Sequence, residues 1–325
     1  MAVRTLAQAI TDALDIALGQ DDRVLLMGED VGKTGGVFRL SSGLYEKYGP
    51  ERVIDAPVAE SGIIGTAFGM AVAGMRPVTE IQFMGFSYPA YDQIVSHVGR
   101  IRNRSRHRFT APMVIRMPFG GGIGAAEHHS ESTESIYAHT PGVKVVVPST
   151  PYDAKGMLLE AIEDPDPVIF LEPIRLYRSV KEEIPDGPYR VPLGLARVLA
   201  SGDDVSIITY GAMTATARKA LAVLSQEGVS AELIDLRSIV PLDLDTILES
   251  VQKTGRAVVV HEAHRTAGFG AEVVAQIQEH ALFSLLAPVQ RVTGWDTIVP
   301  LKLAEHHYVP TANRIVAAVG KTLED

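Results

Sequence analysis

Residues 143–171, VKVVVPSTPYDAKGMLLEAIEDPDPVIFL, decide the fold. Val143–Val147 is apolar on both faces, as a parallel strand covered on each side by helices must be. Thr150 is a candidate helix cap, and Pro151 falls in the first turn, where a missing N–H is tolerated. The spacing predicts a helix over 151–163, and Val168–Leu171 is again a buried strand. Strand, helix and strand in that order make the repeating unit of a parallel α/β sheet.

The same rhythm runs outward in both directions. Upstream, Val24–Met27, Arg52–Ile54, Val78–Phe83 and Met113–Met117 alternate with helical stretches at 5–18, 61–74 and 88–104. Downstream, strands at Val205–Tyr210, Ala231–Leu236, Ala257–His261 and Val289–Val292 alternate with helices near 213–227, 243–253, 268–283 and 312–323. Between the two sets, Glu172 to Asp204 breaks the pattern with Pro173, Pro185, Pro188, Pro192 and the charged triplet Lys181-Glu182-Glu183. The expectation is two doubly wound α/β domains, 1–185 and 204–325, with a linker at 186–203.

Composition excludes several classes of function. The chain has 325 residues, 46% of them hydrophobic and 21% charged, which is enough for a real core and too apolar for a disordered regulator. With no Cys, there is no disulfide, thiolate zinc site, iron–sulfur cluster or thiol nucleophile. A net charge of −9 argues against nucleic acid and anionic membrane as partners. Residues 1–200 hold 24 acids and 20 bases, and residues 201–325 hold 15 and 10, so both parts are mildly acidic. Met1 to Gly19 carries Arg4, Asp12 and Asp15, unlike a basic targeting peptide, and no uncharged apolar run is long enough for a membrane span. A cytoplasmic location is expected.

In open parallel sheets, ligands bind at the carboxyl ends of the strands, so the residues just after each strand carry most weight. Gly28-Glu29-Asp30 follows the first strand, Val58-Ala59-Glu60-Ser61 the second and Gln82-Phe83-Met84-Gly85-Phe86 the third. Glu60 opens an apolar helix bearing Gly62, Gly65 and Gly69. There it is either an acid favoured by the helix dipole or a buried carboxylate holding a proton for a ligand nitrogen. Glu29 divides in the same way between a surface loop and the site. After the fourth strand, Gly120-Gly121-Gly122-Ile123-Gly124 lacks both G-x-G-x-x-G in the required frame and G-K-[ST], and reads as a mobile active-site loop. Glu127, His128, His129, Glu131, Glu134 and His139 lack metal-ligand spacing; a histidine acting on substrate suits the loop better. Spacing leaves open which imidazole does so. The run Arg100 to Arg108 is an exposed helix end at a subunit contact rather than a nucleic-acid site.

Taken in order, Gly28-Glu29-Asp30-Val31, Val58-Ala59-Glu60-Ser61-Gly62, Glu80-Ile81-Gln82-Phe83, His129-Ser130, Pro148 to Gly156, Glu172-Pro173, Leu176-Tyr177-Arg178 and Asp235 to Asp243 resemble the beta subunits of the thiamine-dependent 2-oxo acid dehydrogenases. The resemblance spans essentially the whole chain. It implies a transketolase-like pyrimidine-binding domain and a transketolase C-terminal-like domain. Glu60 would then contact the cofactor's aminopyrimidine ring and favour the tautomer that deprotonates the thiazolium. Glu29, Val58, Ala59, Gln82 and Phe86 would line the pyrimidine site. His129 would assist decarboxylation and acyl transfer to a lipoyl group, with Phe83 and Phe86 beside the substrate.

The G-D-G that holds magnesium diphosphate in this superfamily is missing from the sequence, so an alpha subunit is expected to supply magnesium and the diphosphate site in an α2β2 particle. The resemblance further implies docking of the acyltransferase core through its subunit-binding and lipoyl domains, and a potassium ion on backbone carbonyls near Met113, Ala161, Asp164 and Asp166. Met84-Gly85-Phe86 tilts the substrate towards pyruvate, whereas Pro89-Ala90-Tyr91-Asp92-Gln93 looks closer to the branched-chain pattern. An acetoin-cleaving relative and a non-catalytic scaffold are the alternatives.

Overall fold

The computed structural model describes residues 1–324. Its strands are, in chain order, β1 (Ala2–Thr5), β2 (Val24–Gly28), β3 (Val53–Asp55), β4 (Arg76–Glu80), β5 (Val114–Phe119), β6 (Lys144–Val146), β7 (Val168–Pro173), β8 (Lys181–Ile184), β9 (Arg197–Ala200), β10 (Val205–Thr209), β11 (Ala231–Asp235), β12 (Ser238–Val240), β13 (Ala257–Val260) and β14 (Gln290–Val292). Seven of them form one sheet in the order β12-β6-β7-β5-β4-β2-β3, and five form a second in the order β14-β13-β10-β11-β9. Each sheet is parallel apart from one antiparallel edge strand, β12 in the first and β9 in the second.

Burial on both faces explains why these strands lack polar alternation. In β2, Val24 and Leu26 join one apolar cluster with helix Leu6–Gln20, while Leu25 and Met27 join another with helix Glu60–Val72. Both clusters continue into the second sheet, the first through Ile207 and Leu233, the second through Ile208 and Ile234. The two sheets are therefore clad by shared layers. Helix Pro151–Glu163 starts as its sequence requires: Thr150 Oγ1 accepts the Asp153 amide at 3.1 Å, with Pro151 in the first turn.

Three expectations need correction. The segment 88–104 is not one helix but a 3₁₀ stretch Met84–Ala90, a short α-turn Tyr91–Gln93, a π-turn Ile94–Val98 and a short helix Ile101–Arg104. Pro89 cannot supply an intrahelical N–H, and the chain changes its winding around that point. The triplet Lys181-Glu182-Glu183 lies in β8, which pairs antiparallel with β1 and sets Glu182 opposite Arg4. Residues 197–200, placed in the linker by composition, form the edge strand β9. Among the described residues, no helix is long and apolar enough to cross a membrane.

Candidate functional site

The neighbouring strands β2 and β3 end side by side, with Gly28 opposite Asp55 and the Ala56 amide donating to the Gly28 carbonyl at 2.8 Å. That register brings the residues following each strand together. Glu29 is buried, and its Oε1 has no hydrogen-bond partner. Burial pushes its carboxyl up, the Glu60 and Asp30 charges add to this, and the Ala59 amide opposes it. Glu60 is the first residue of helix Glu60–Val72 and is only half-buried. Val58 beside it is 82% exposed, so this rim of the site faces outward.

After β4, which pairs with β2 on the side away from β3, comes an aromatic cluster. Phe83 and Phe86 lie edge-to-face with centroids 5.4 Å apart, and the His129 ring meets them at 4.5 and 5.0 Å. His129 Nδ1 lies 2.9 Å from the Ala126 carbonyl. A carbonyl can only accept, so Nδ1 is the donor, and in that tautomer Nε2 is the acceptor. His128 instead faces Glu131 at 3.6 Å and is 57% exposed. The geometry therefore separates two imidazoles that spacing could not. Gln82 reaches Asp30 at 3.3 Å, on the same rim as Glu29.

The structure adds residues that had no place in the site on sequence alone. Phe38 extends the aromatic cluster, 5.4 Å from Phe83 and 5.2 Å from Tyr177. Beneath the strand ends, Arg116 donates to Glu80 at 2.8 Å and to both oxygens of Glu172 at 2.6 and 3.1 Å, and Tyr177 donates to Glu172 at 2.5 Å. Burial works against the Arg116 charge, but the two carboxylates outweigh it and its pKa is raised. The signal was legible: one arginine in an otherwise apolar strand, in register with Glu80 of β4.

The glycine run is held from the second domain. Glu305 accepts the Gly122 and Gly124 amides at 2.7 and 2.8 Å, and Glu262 accepts the Gly121 amide at 3.3 Å. Burial pushes the Glu262 carboxyl up to about 7, Arg175 opposes this, and Glu134 reinforces it.

No three or more His, Cys, Asp or Glu side chains among the described residues converge as a metal site. Around the expected potassium position, the Met113 carbonyl accepts the Val168 amide at 3.0 Å. Arg76 donates to the Asp164 carbonyl at 3.3 Å, Arg102 pairs with the Asp166 carboxylate at 2.6 Å, and Lys144 pairs with Asp164. A cleft of about 660 Å³, lined by residues including Ile239, Val240, Leu242, Phe269 and Glu272, lies elsewhere.

Residues 3–180 match the family model described as the transketolase pyrimidine binding domain, and residues 194–315 the transketolase C-terminal domain. The chain is 51% identical over 324 residues to the pyruvate dehydrogenase E1 component subunit beta of Bacillus subtilis, covering 100% of both chains. It is 50% identical over 321 residues to the protein of the same name from Acholeplasma laidlawii, covering 99% of this chain and 98% of the other. Among solved structures it is similar to a split gene transketolase, described as an inactive beta4 tetramer, with a TM-score of 0.81 at 26% identity. That match covers 99% of this chain and 98% of the other.

Proposed function

This chain belongs to the transketolase-like family of 2-oxo acid dehydrogenase beta subunits, and from that premise we propose that it decarboxylates pyruvate on thiamine diphosphate as the beta half of an α/β particle. The observation carrying the proposal is a buried carboxylate with an unpartnered oxygen that feels a second carboxylate, after the strand next to the one that leads to two phenylalanines holding a histidine. Acidic and aromatic side chains suit a heterocycle whose ring nitrogen accepts a proton. Bound there, thiamine diphosphate would supply a carbon acid that adds to the substrate carbonyl and takes up the electrons released with carbon dioxide.

The chain's own residues hold and move protons. Glu60 sits at the rim, where it presents a carboxyl to the pyrimidine ring nitrogen, while Glu29, Val58, Ala59, Gln82 and Phe86 line that ring. Phe83 and Phe86 shape the substrate side and exclude water. His129 offers Nε2 to the reacting oxygen and to the arriving lipoyl sulfur, a role worth on the order of 10²–10⁴-fold in rate.

Exposure of Val58 and half-exposure of Glu60 support a site completed by a second chain, the alpha subunit, which would bring magnesium and the diphosphate pocket. The acyl group would pass to a lipoyl domain of an acyltransferase core, which docks through its subunit-binding domain, in the cytoplasm. A potassium ion at Met113, Ala161, Asp164 and Asp166 would rest on backbone carbonyls and share that of Asp164 with Arg76.

The test is decarboxylation by the co-purified α/β particle with pyruvate and 3-methyl-2-oxobutanoate in parallel. Preference for pyruvate is the expected result. Preference for the branched acid would reassign the substrate, and inactivity on both would overturn the reading.

A further inference from the structure

The glycine run offers three left-handed residues in alternation, Gly120 at φ +90°, Gly122 at +96° and Gly124 at +72°. Such alternation turns successive amides towards one side and makes a concavity suited to an anion. Here the anions are the chain's own carboxylates. Glu305, 6% exposed, accepts two of these amides, and Glu262, 5% exposed, accepts a third. The seat is close on both sides: a Cβ at Gly124 would fall 2.8 Å from Lys302 Cγ, and one at Gly122 3.2 Å from an Arg175 nitrogen. The base of the loop is closed by the Gly120 amide donating to the Glu131 carbonyl at 2.9 Å. His129 stands inside that closed segment, its ring fixed by Ala126, Phe83 and Phe86.

We propose that Glu305, aided by Glu262, is the positioning residue of the histidine loop: a carboxylate clamp from the second domain that holds residues 121–124 and thereby sets the place of His129. The loop is thus latched rather than freely mobile, and its anion seat is unavailable to a phosphate. The inference rests on the functional reading of His129 given above. Glutamine at 305 can accept with one head only, because its amide nitrogen would face an N–H donor. Charge-assisted bonds of this kind hold a loop amide closed by roughly 10–100-fold.

The experiment measures amide hydrogen exchange in the purified full-length chain, wild type against E305Q, and turnover of the same chains in the α/β particle, with His129→Ala alongside. The expected result is exchange at residues 121–124 faster by roughly 10–100-fold, with exchange of the strand Val114–Phe119 changing far less. Turnover falls, whereas affinity for thiamine diphosphate does not, because Glu29 and Glu60 lie on other segments. Should E305Q fail to fold, E305D, which keeps the charge and shortens the reach, is judged by the same exchange. Unchanged exchange in the loop overturns the inference. So does faster exchange with wild-type turnover while His129→Ala is impaired. Wild-type turnover in His129→Ala overturns the functional reading first, and this inference with it.

Discussion

Glu60 occupies the first turn of its helix, near Glu29, whose carboxyl is pushed up by burial and by the Glu60 charge. In the proposed function, Glu60 is the carboxyl that faces the ring nitrogen. Glu60→Gln keeps the size and removes the titration. In the α/β particle, proton exchange at the cofactor's thiazolium carbon should slow by on the order of 10²–10⁴-fold, with assembly intact. Exchange at the wild-type rate would sink the role given to Glu60. A second carboxyl makes a prediction about stability. Asp235 is fully buried and accepts the Arg237 amide at 3.2 Å and the Ser149 hydroxyl. Burial pushes its carboxyl up to about 7, the Ser149 hydroxyl opposes this, and the Asp153 charge adds to it. The folded chain therefore keeps a proton that the unfolded chain gives up near pH ~3.9. The stability from this group is full below that value and is lost as pH rises through about 7. Asp235→Asn stays neutral throughout. Its melting temperature should fall less than the wild type's between about pH 5 and 8. Parallel melting curves would contradict the assignment. Glu29 and Glu60 could be picked from the sequence because each follows a strand end. The choice of His129 over His128 could not be made from spacing, since it depends on which ring meets Ala126 and which meets Glu131.

Strands and helices with one dominant local cause were legible: apolar runs for β2, β5, β7 and β10, and cap plus proline for helix Pro151–Glu163. The elements that escaped depend on distant partners. β8 is polar and forms because β1 lies beside it, and β12 forms by pairing with β6 about ninety positions earlier. Within β5, Arg116 looks like a breach of the apolar pattern and is a satisfied one, since Glu80 and Glu172 take up its donors. Removing one partner from such a network is far more damaging than its net contribution suggests, because the other charges stay buried. Arg116→Met should cost about 3–5 kcal/mol, read as a lowered denaturation midpoint. A loss below about 1 kcal/mol would mean that the two carboxylates find protons or water on their own.

Across the whole molecule, the two halves are tied by β12 in the first sheet, by Arg237 donating to Asp153 at 2.9 Å and by the glutamates on the glycine run. None of these ties shows in a composition profile, which sees only a proline-rich interval between two α/β patterns. Charge is legible at this scale. Residues 201–325 carry 15 acids against 10 bases, closing on Glu324 and Asp325, the last of which lies outside the described residues. The same half exposes Leu282, Phe283 and Leu286 close together in the chain, with Phe283 fully exposed. An acidic half with exposed apolar side chains suits a basic partner, and in the proposed function the candidate is the subunit-binding domain of an acyltransferase core. Opposite charge chiefly steers such encounters, and apolar contact slows departure. Raising salt from about 0.05 to about 0.5 M shortens the Debye length from ~14 to ~4 Å. Stopped-flow association of the α/β particle with that domain should therefore slow markedly with salt, while dissociation changes little. Phe283→Ala should show the opposite split, leaving the on-rate alone and hastening dissociation. A salt-independent on-rate together with unaltered dissociation of the Phe283→Ala particle would remove this face of the second domain as the docking surface.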